Sequence, residues 1–111
     1  MSGARLASGI WVGAYLRRLQ MEGIAAYVAA RGDDTAGAVL VKLALMDGTA
    51  QLWARSFDLE TGARVWHRQT TAPEAEIDAS ITRQRNTDPD LWVIEVEDPR
   101  GRHLLDDPAL A

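Results

Sequence analysis

Two chain reversals between residues 38 and 69 constrain this 111-residue sequence more than anything else in it. Asp47-Gly48 lies between apolar runs, the pattern that most strongly marks a tight hairpin. A two-residue turn there sets Leu43 opposite Leu52, Val41 opposite Ala54 and Lys42 opposite Trp53. The second reversal is Asp58-Leu59-Glu60-Thr61-Gly62. Gly62 accepts positive φ without steric cost, and the Asp58 carboxylate can accept bonds from the turn N–H groups. Closing it there sets Trp53 against Arg68, Arg55 against Trp66 and Phe57 against Arg64.

Side chains alternate along a strand, so the two turns together sort residues onto two faces. One face collects Val39, Val41, Leu43, Leu52, Ala54, Val65 and His67 and reads as core. The other carries Lys42 with a checkerboard of Trp53, Arg55, Phe57, Arg64, Trp66 and Arg68, the candidate binding face. Exposed arginine–aromatic pairs contribute about 0.5–1 kcal/mol each. A flat platform of indoles and guanidinium forks suits a carboxylate- or phosphate-bearing partner, a peptide, or a second copy of the chain. Glu95 and Glu97 would share this face if their strand joins the sheet, turning the platform into an internal ion-pair network.

Around this centre, Ser8 reads as the N-cap of a helix ending near Glu22, with Gly23 as its stop. Val12, Leu16 and Leu19 form its apolar stripe, flanked by Trp11 and Tyr15. Ile24–Arg31 reads as a strand. Thr71-Ala72-Pro73-Glu74 is a capping box opening a second helix to about Arg85, with Arg83 and Arg85 facing water. Leu91–Asp98 is the last strand, with Trp92, Ile94 and Val96 on one side. Pro99-Arg100-Gly101 turns the chain, leaving about 103–111 as a short return or a loose tail of one domain spanning 1–111. The expected fold is α+β in the order α-β-β-β-β-α-β: a four-stranded antiparallel meander plus a fifth strand at an edge, with two helices packed on one face.

Composition bounds the function. With no cysteine, disulfides, thiolate metal sites and cysteine nucleophiles are excluded. The net charge of −4 disfavours nucleic acid and anionic membrane as partners, and no apolar run approaches the ~18 residues needed to span a bilayer. No Gly-rich phosphate loop, metal-spaced histidine pair or Gly-x-Ser-x-Gly elbow occurs, so no catalytic, cofactor-binding or metal residue is assigned. His67 falls on the apolar face and reads as a core histidine. Lys42 is the only lysine among twelve basic residues, and Leu40 stands where a restriction-endonuclease-like metal site would need an acid.

Three stretches carry a family likeness: Arg5-Leu6-Ala7-Ser8-Gly9-Ile10-Trp11 leading to Leu16-Arg17-Arg18; Gly37-Ala38-Val39-Leu40-Val41-Lys42; and Arg83-Gln84-Arg85 through Asp88-Pro89-Asp90-Leu91-Trp92 to Glu95-Val96-Glu97-Asp98. The chain resembles a family of small uncharacterised alphaproteobacterial proteins known only as a domain of unknown function. That resemblance implies a bacterial, cytoplasmic protein and brings no activity, ligand or catalytic residue with it. From the residues themselves, the expected role is a non-enzymatic interaction module using the Arg/Trp face, most simply for a homodimer or another protein partner. The alternative is a small-molecule or phosphate-binding enzyme or enzyme subunit, which requires a deep pocket with convergent polar groups and a perturbed titrating residue. A single-stranded nucleic-acid platform comes third.

Overall fold

The computed structural model describes residues 6–110 apart from 58–59 and 62–63, and the side chains of Ser56, Phe57 and Arg64 are likewise outside the description. The elements run α1 (Ser8–Met21), β1 (Ala25–Ala30), β2 (Val39–Ala44), β3 (Thr49–Phe57), β4 (Arg64–Pro73), α2 (Glu74–Thr87) and β5 (Trp92–Glu97), ending in a 3-10 turn at Pro108–Leu110. This is the expected α+β class in the expected order. The arrangement differs in three ways.

The strand order is β1-β5-β2-β3-β4, so β5 lies inside the sheet and not at an edge. Only β2, β3 and β4 form a meander. β1 pairs antiparallel with β5, and β5 runs parallel to β2, making the sheet mixed. Hydrophobic continuity explains the placement. β2 reads Val-Leu-Val-Lys-Leu-Ala and β5 Trp-Val-Ile-Glu-Val-Glu, nearly unbroken apolar runs of the kind that sheets bury on both sides. Every residue of β2 is buried.

The helices consequently take opposite faces instead of one. Trp11, Val12, Tyr15 and Leu19 of α1 pack with Val39, Val41 and Leu43 of β2 and Trp92, Ile94 and Val96 of β5. Ile77 of α2 packs behind the sheet with Leu40, Ala50, Leu52 and Leu91, with Ile81 at the margin.

The third difference lies in the first turn. The chain closes it with three residues, Met46-Asp47-Gly48: Ala44 pairs with Ala50, and the Leu45 N–H donates to the Thr49 carbonyl at 3.0 Å. The Asp47 carboxylate accepts from the Thr49 N–H at 2.9 Å and from its hydroxyl at 2.6 Å. Those bonds lengthen the loop by one residue, with Gly48 at φ 92° and Met46 at φ 64°. One extra residue turns β3 over relative to β2. Val41 now stands opposite Trp53, and Lys42 opposite Leu52.

Helix starts also differ from the expected caps. Ser8 is inside α1, and its hydroxyl donates to the Gly37 carbonyl at 2.6 Å, stitching the helix to the loop before β2. β4 continues to Pro73, so the Thr71–Glu74 capping box does not form; the Glu74 N–H donates to the Gly48 carbonyl at 3.0 Å. Arg85 is not a solvated arginine: it donates to the Leu91, Arg31 and Pro89 carbonyls at 3.2, 3.3 and 2.9 Å.

Candidate functional site

The second hairpin keeps its predicted register: Trp53 pairs with Arg68, Arg55 with Trp66 and Phe57 with Arg64. The turn residues Asp58, Leu59, Gly62 and Ala63 lie outside the described residues, as do the Phe57 and Arg64 side chains. What changes is the environment. Because β3 is turned over, Trp53, Arg55 and Trp66 share the Val41 side, the face expected to be core, and face α1 instead of lying with Lys42 on a bare side. Arg68 remains exposed, and so does His67, which is not a core histidine.

Trp11 organises the chemistry on this side. Its ring stacks on Tyr15 at 4.9 Å and meets Trp66 at 5.4 Å between centroids. The Arg55 guanidinium carbon lies 5.0 Å from the Trp11 ring and 5.5 Å from the Trp66 ring, a cation held between two negative ring faces. The platform is therefore partly roofed by α1.

The remaining wall comes from residues 103–110, which pack as a return. After β5, the Asp98 carboxylate accepts from the Arg102 N–H at 2.7 Å and its Nε at 3.0 Å. The Arg102 side chain holds that carboxyl below the ordinary carboxylate range. Gly101, at φ 73°, completes the reversal. The returning arm is anchored to α1: the Tyr15 hydroxyl donates to the His103 carbonyl at 2.8 Å, Trp11 Nε1 to the Leu110 carbonyl at 2.9 Å, and Arg18 Nε to Asp107 at 2.9 Å. Leu105 and Leu110 are buried in the same cluster.

Between arm and hairpin lies a cleft of about 430 Å³ walled by Trp53, Trp66, Val65, His103 and Leu105, with Arg55 and Asp106 among its polar groups. The His103 ring sits 4.4 Å from the Trp53 ring at a 51° tilt. Its Nδ1 accepts the Leu105 N–H at 2.9 Å. Burial pushes the His103 imidazole below its usual value of 6.5, opposed in part by the charge of Asp106. At pH 7 the ring is neutral, and with Nδ1 accepting, its proton is on Nε2.

The opposite face holds a separate charge cluster. Lys42 is 4% exposed, and its Nζ lies 2.9 Å from Glu74, 2.9 Å from Asp78 and 3.6 Å from Glu95. Burial works against the ammonium, yet hydrogen bonds to Asp78 and Glu74 and the charge of Glu95 prevail and raise its pKa. Glu95 and Glu97 thus face α2, and the predicted network with Arg55 and Arg68 is not formed. This cluster ties α2 to the sheet. Among the described residues no group of three or more His, Asp or Glu side chains could hold a metal ion, and no helix is long and apolar enough to cross a membrane.

Sequence reasoning placed Trp53, Arg55 and Trp66 together but missed His103, Leu105 and Asp106 as their neighbours. The Pro99-Arg100-Gly101 turn signals that the chain reverses; nothing local signals over which face.

Comparison with known proteins agrees with the family likeness read from the sequence. A family model described as a protein of unknown function (DUF1491) matches residues 6–106. The crystal structure of a DUF1491 family protein from Caulobacter crescentus is 42% identical, covers 94% of this chain and 98% of its own, and superposes with a TM-score of 0.85. An NMR structure of a DUF1491 family protein from the same organism is 42% identical, covering 96% and 97% with a TM-score of 0.81. The solution structure of protein Atu0922 from A. tumefaciens is 31% identical over 85% and 86% of the two chains, with a TM-score of 0.73. No curated protein matches the chain.

Proposed function

The chain belongs to the DUF1491 family of proteins of unknown function, and we propose that it is a binding module whose small-molecule ligand seats in the cleft between the second hairpin and the C-terminal arm. The cleft carries this reading. Its volume of about 430 Å³ falls within the roughly 300–1,000 Å³ range of small-molecule sites. Its walls are two indoles and aliphatic side chains, its polar groups are few, and it contains a histidine with a shifted pKa. Those are the features required of the pocket alternative. A homodimer built on a flat Arg/Trp platform draws no support from the geometry, because α1 and the arm stand over that side of the sheet.

The roles divide by element. β3 and β4 supply the aromatic wall, α1 holds Trp66 and Arg55 in place through Trp11, and the arm supplies His103 as the facing ring. A planar probe seated here should move the indole N–H resonances of Trp53 and Trp66 in a titration with 2-naphthol followed by NMR. The Trp92 indole serves as an internal control, since its N–H is engaged by the Asp33 carbonyl at 2.7 Å far from the cleft. Saturable shifts at Trp53, Trp66 and His103 are the expected result. Shifts scattered over the whole surface, or none, would remove the proposal.

A further inference from the structure

The two outer edges of the sheet differ in kind. β4 forms one of them. It carries Arg64, His67 and Arg68, breaks register with β3 between Leu52 and Trp53, and ends at Pro73. Charge, irregular register and proline are the devices that keep an open edge from pairing with another chain. β1 forms the other edge and reads Ala-Ala-Tyr-Val-Ala-Ala, with no charge and no proline. Its one irregularity lies between Val28 and Ala30, so Ala25–Val28 pair regularly with β5. Among the described residues no other strand pairs with β1, and its outward N–H and C=O groups form an open row.

Exposed apolar surface gathers at the same end. Of the seven exposed large hydrophobic residues among those described, five lie here: Leu6, Ile10 and Met21 in or beside α1, and Tyr27 and Val28 in β1. Ile10, Gly13 and Val28 line a shared groove of about 460 Å³ along this flank. Gly13 puts no side chain in the way, and a Cβ there would meet nothing within 4 Å. A row of open backbone groups beside such a groove takes an extended strand.

We propose that β1 is the contact between two copies of this chain, pairing antiparallel with the β1 of a second molecule about a two-fold axis so that the two sheets become one. Three considerations select a second copy. Within β1, an antiparallel pair sets only alanine, tyrosine and valine across from one another, so no charge is buried and none repels. The contact is isologous and occupies both open edges at once, leaving a guarded β4 outermost on each side, so assembly stops at two. The area also fits a reversible dimer. Six residues make an edge about 20 Å long. With the helix layer above the strand it is about 20 Å deep, roughly 400 Å² of flat profile per copy. A standard stable interface takes about 800 Å² per partner, so this dimer is weak. The cleft lies at the β3–β4 end of the sheet, and the pairing of β1 does not depend on what the cleft binds.

Sedimentation equilibrium of the full chain from about 10 µM to about 1 mM should show the mass rising from one chain to two, as a weak interface requires. Across that range, hydrogen exchange followed by NMR should slow about fivefold at those amides of Ala25–Val28 that point away from β5, with no change at His67 and Arg68 on β4. Ala25→Lys combined with Ala29→Lys guards the edge as natural edges are guarded. Both positions are exposed, and residue 25 stands across from Glu97, so the monomer keeps its fold, which circular dichroism checks. The dissociation constant of that variant should rise at least about tenfold, the effect of bringing like charges onto a neutral edge. A wild type that is still monomeric at the highest concentration overturns the proposal. So does a dimer whose β1 amides exchange at one rate throughout, or a natively folded lysine variant that dimerises as tightly as wild type. If the variant does not fold, the wild-type exchange data decide alone. A monomeric chain whose β1 amides are protected by a peptide copying residues 24–31 would make the occupant a free strand, and overturn the second copy.

Discussion

Replacing Lys42 with methionine removes one charge from the centre of the sheet while keeping the length of the side chain. The ammonium is surrounded by Glu74 and Asp78 at 2.9 Å and Glu95 at 3.6 Å. At an effective dielectric of about 20, each contact at this range represents roughly 4 kcal/mol of attraction, set against several kcal/mol of desolvation for the buried ion. Breaking a fully buried pair by deleting one partner costs about 3–5 kcal/mol, because the survivor is left uncompensated. Here two of the three acids can rehydrate, since Glu74 and Asp78 side chains are 38% and 59% exposed, whereas Glu95 is 16% exposed. The lower end therefore applies, about 3 kcal/mol at pH 7. For a domain of this size that lowers Tm by roughly 12 °C, measured by thermal unfolding with circular dichroism and checked by urea titration. Adding Glu95→Gln to Lys42→Met should recover about 1 kcal/mol, as it removes the acid least able to reach water. Two results would refute the reasoning. One is a Lys42→Met protein within about 0.5 kcal/mol of wild type. The other is a loss that Glu95→Gln does not ease, which would assign the effect to packing.

Alkaline pH should destabilise the fold by the same chemistry. Lys42 in the folded chain is raised above its ordinary value of 10.5 for the reasons given, Tyr15 is raised above 10.0 by burial, and Tyr27 is raised by burial and then by the charge of Glu95. In all three the folded state holds the proton more tightly, so their contribution is complete below about pH 10 and is lost as pH rises through the folded values. Urea midpoints should be level between pH 8 and 9.5 and fall by pH 11, less steeply in Lys42→Met; no fall by pH 11 contradicts this. Gly32→Ala should cost about 2–3 kcal/mol, because a Cβ there would collide with the Asp90 carbonyl and come within 2.6 Å of Trp92 Cδ1. Gly13→Ala is the control: its Cβ meets nothing within 4 Å, and the helix should gain up to about 1 kcal/mol in urea unfolding.

The residues show why some of this was readable and some was not. α1 was legible because Trp11, Val12, Tyr15 and Leu19 repeat at helical spacing, and all four are buried. The pairing of Arg55 with Trp66 was legible because a hairpin register follows from the number of residues in its turn. The same rule failed at Asp47-Gly48, where the Asp47 carboxylate bonded forward to Thr49 and added one residue to the loop. The unbroken apolar runs of β2 and β5 carried a warning that both faces would be covered. A meander with one bare face did not accommodate them.

Composition, alternation and turn chemistry determined by themselves the α+β class, the element order and the clustering of Trp53, Arg55 and Trp66, because each depends on neighbours a few residues away. Tertiary structure alone decided which side those residues face and what stands across from them. Parity across β2 and β3 turns on a single loop residue, and the arm carrying His103 is held by Trp11, Tyr15 and Arg18, some ninety residues earlier in the chain and beyond the reach of any local pattern.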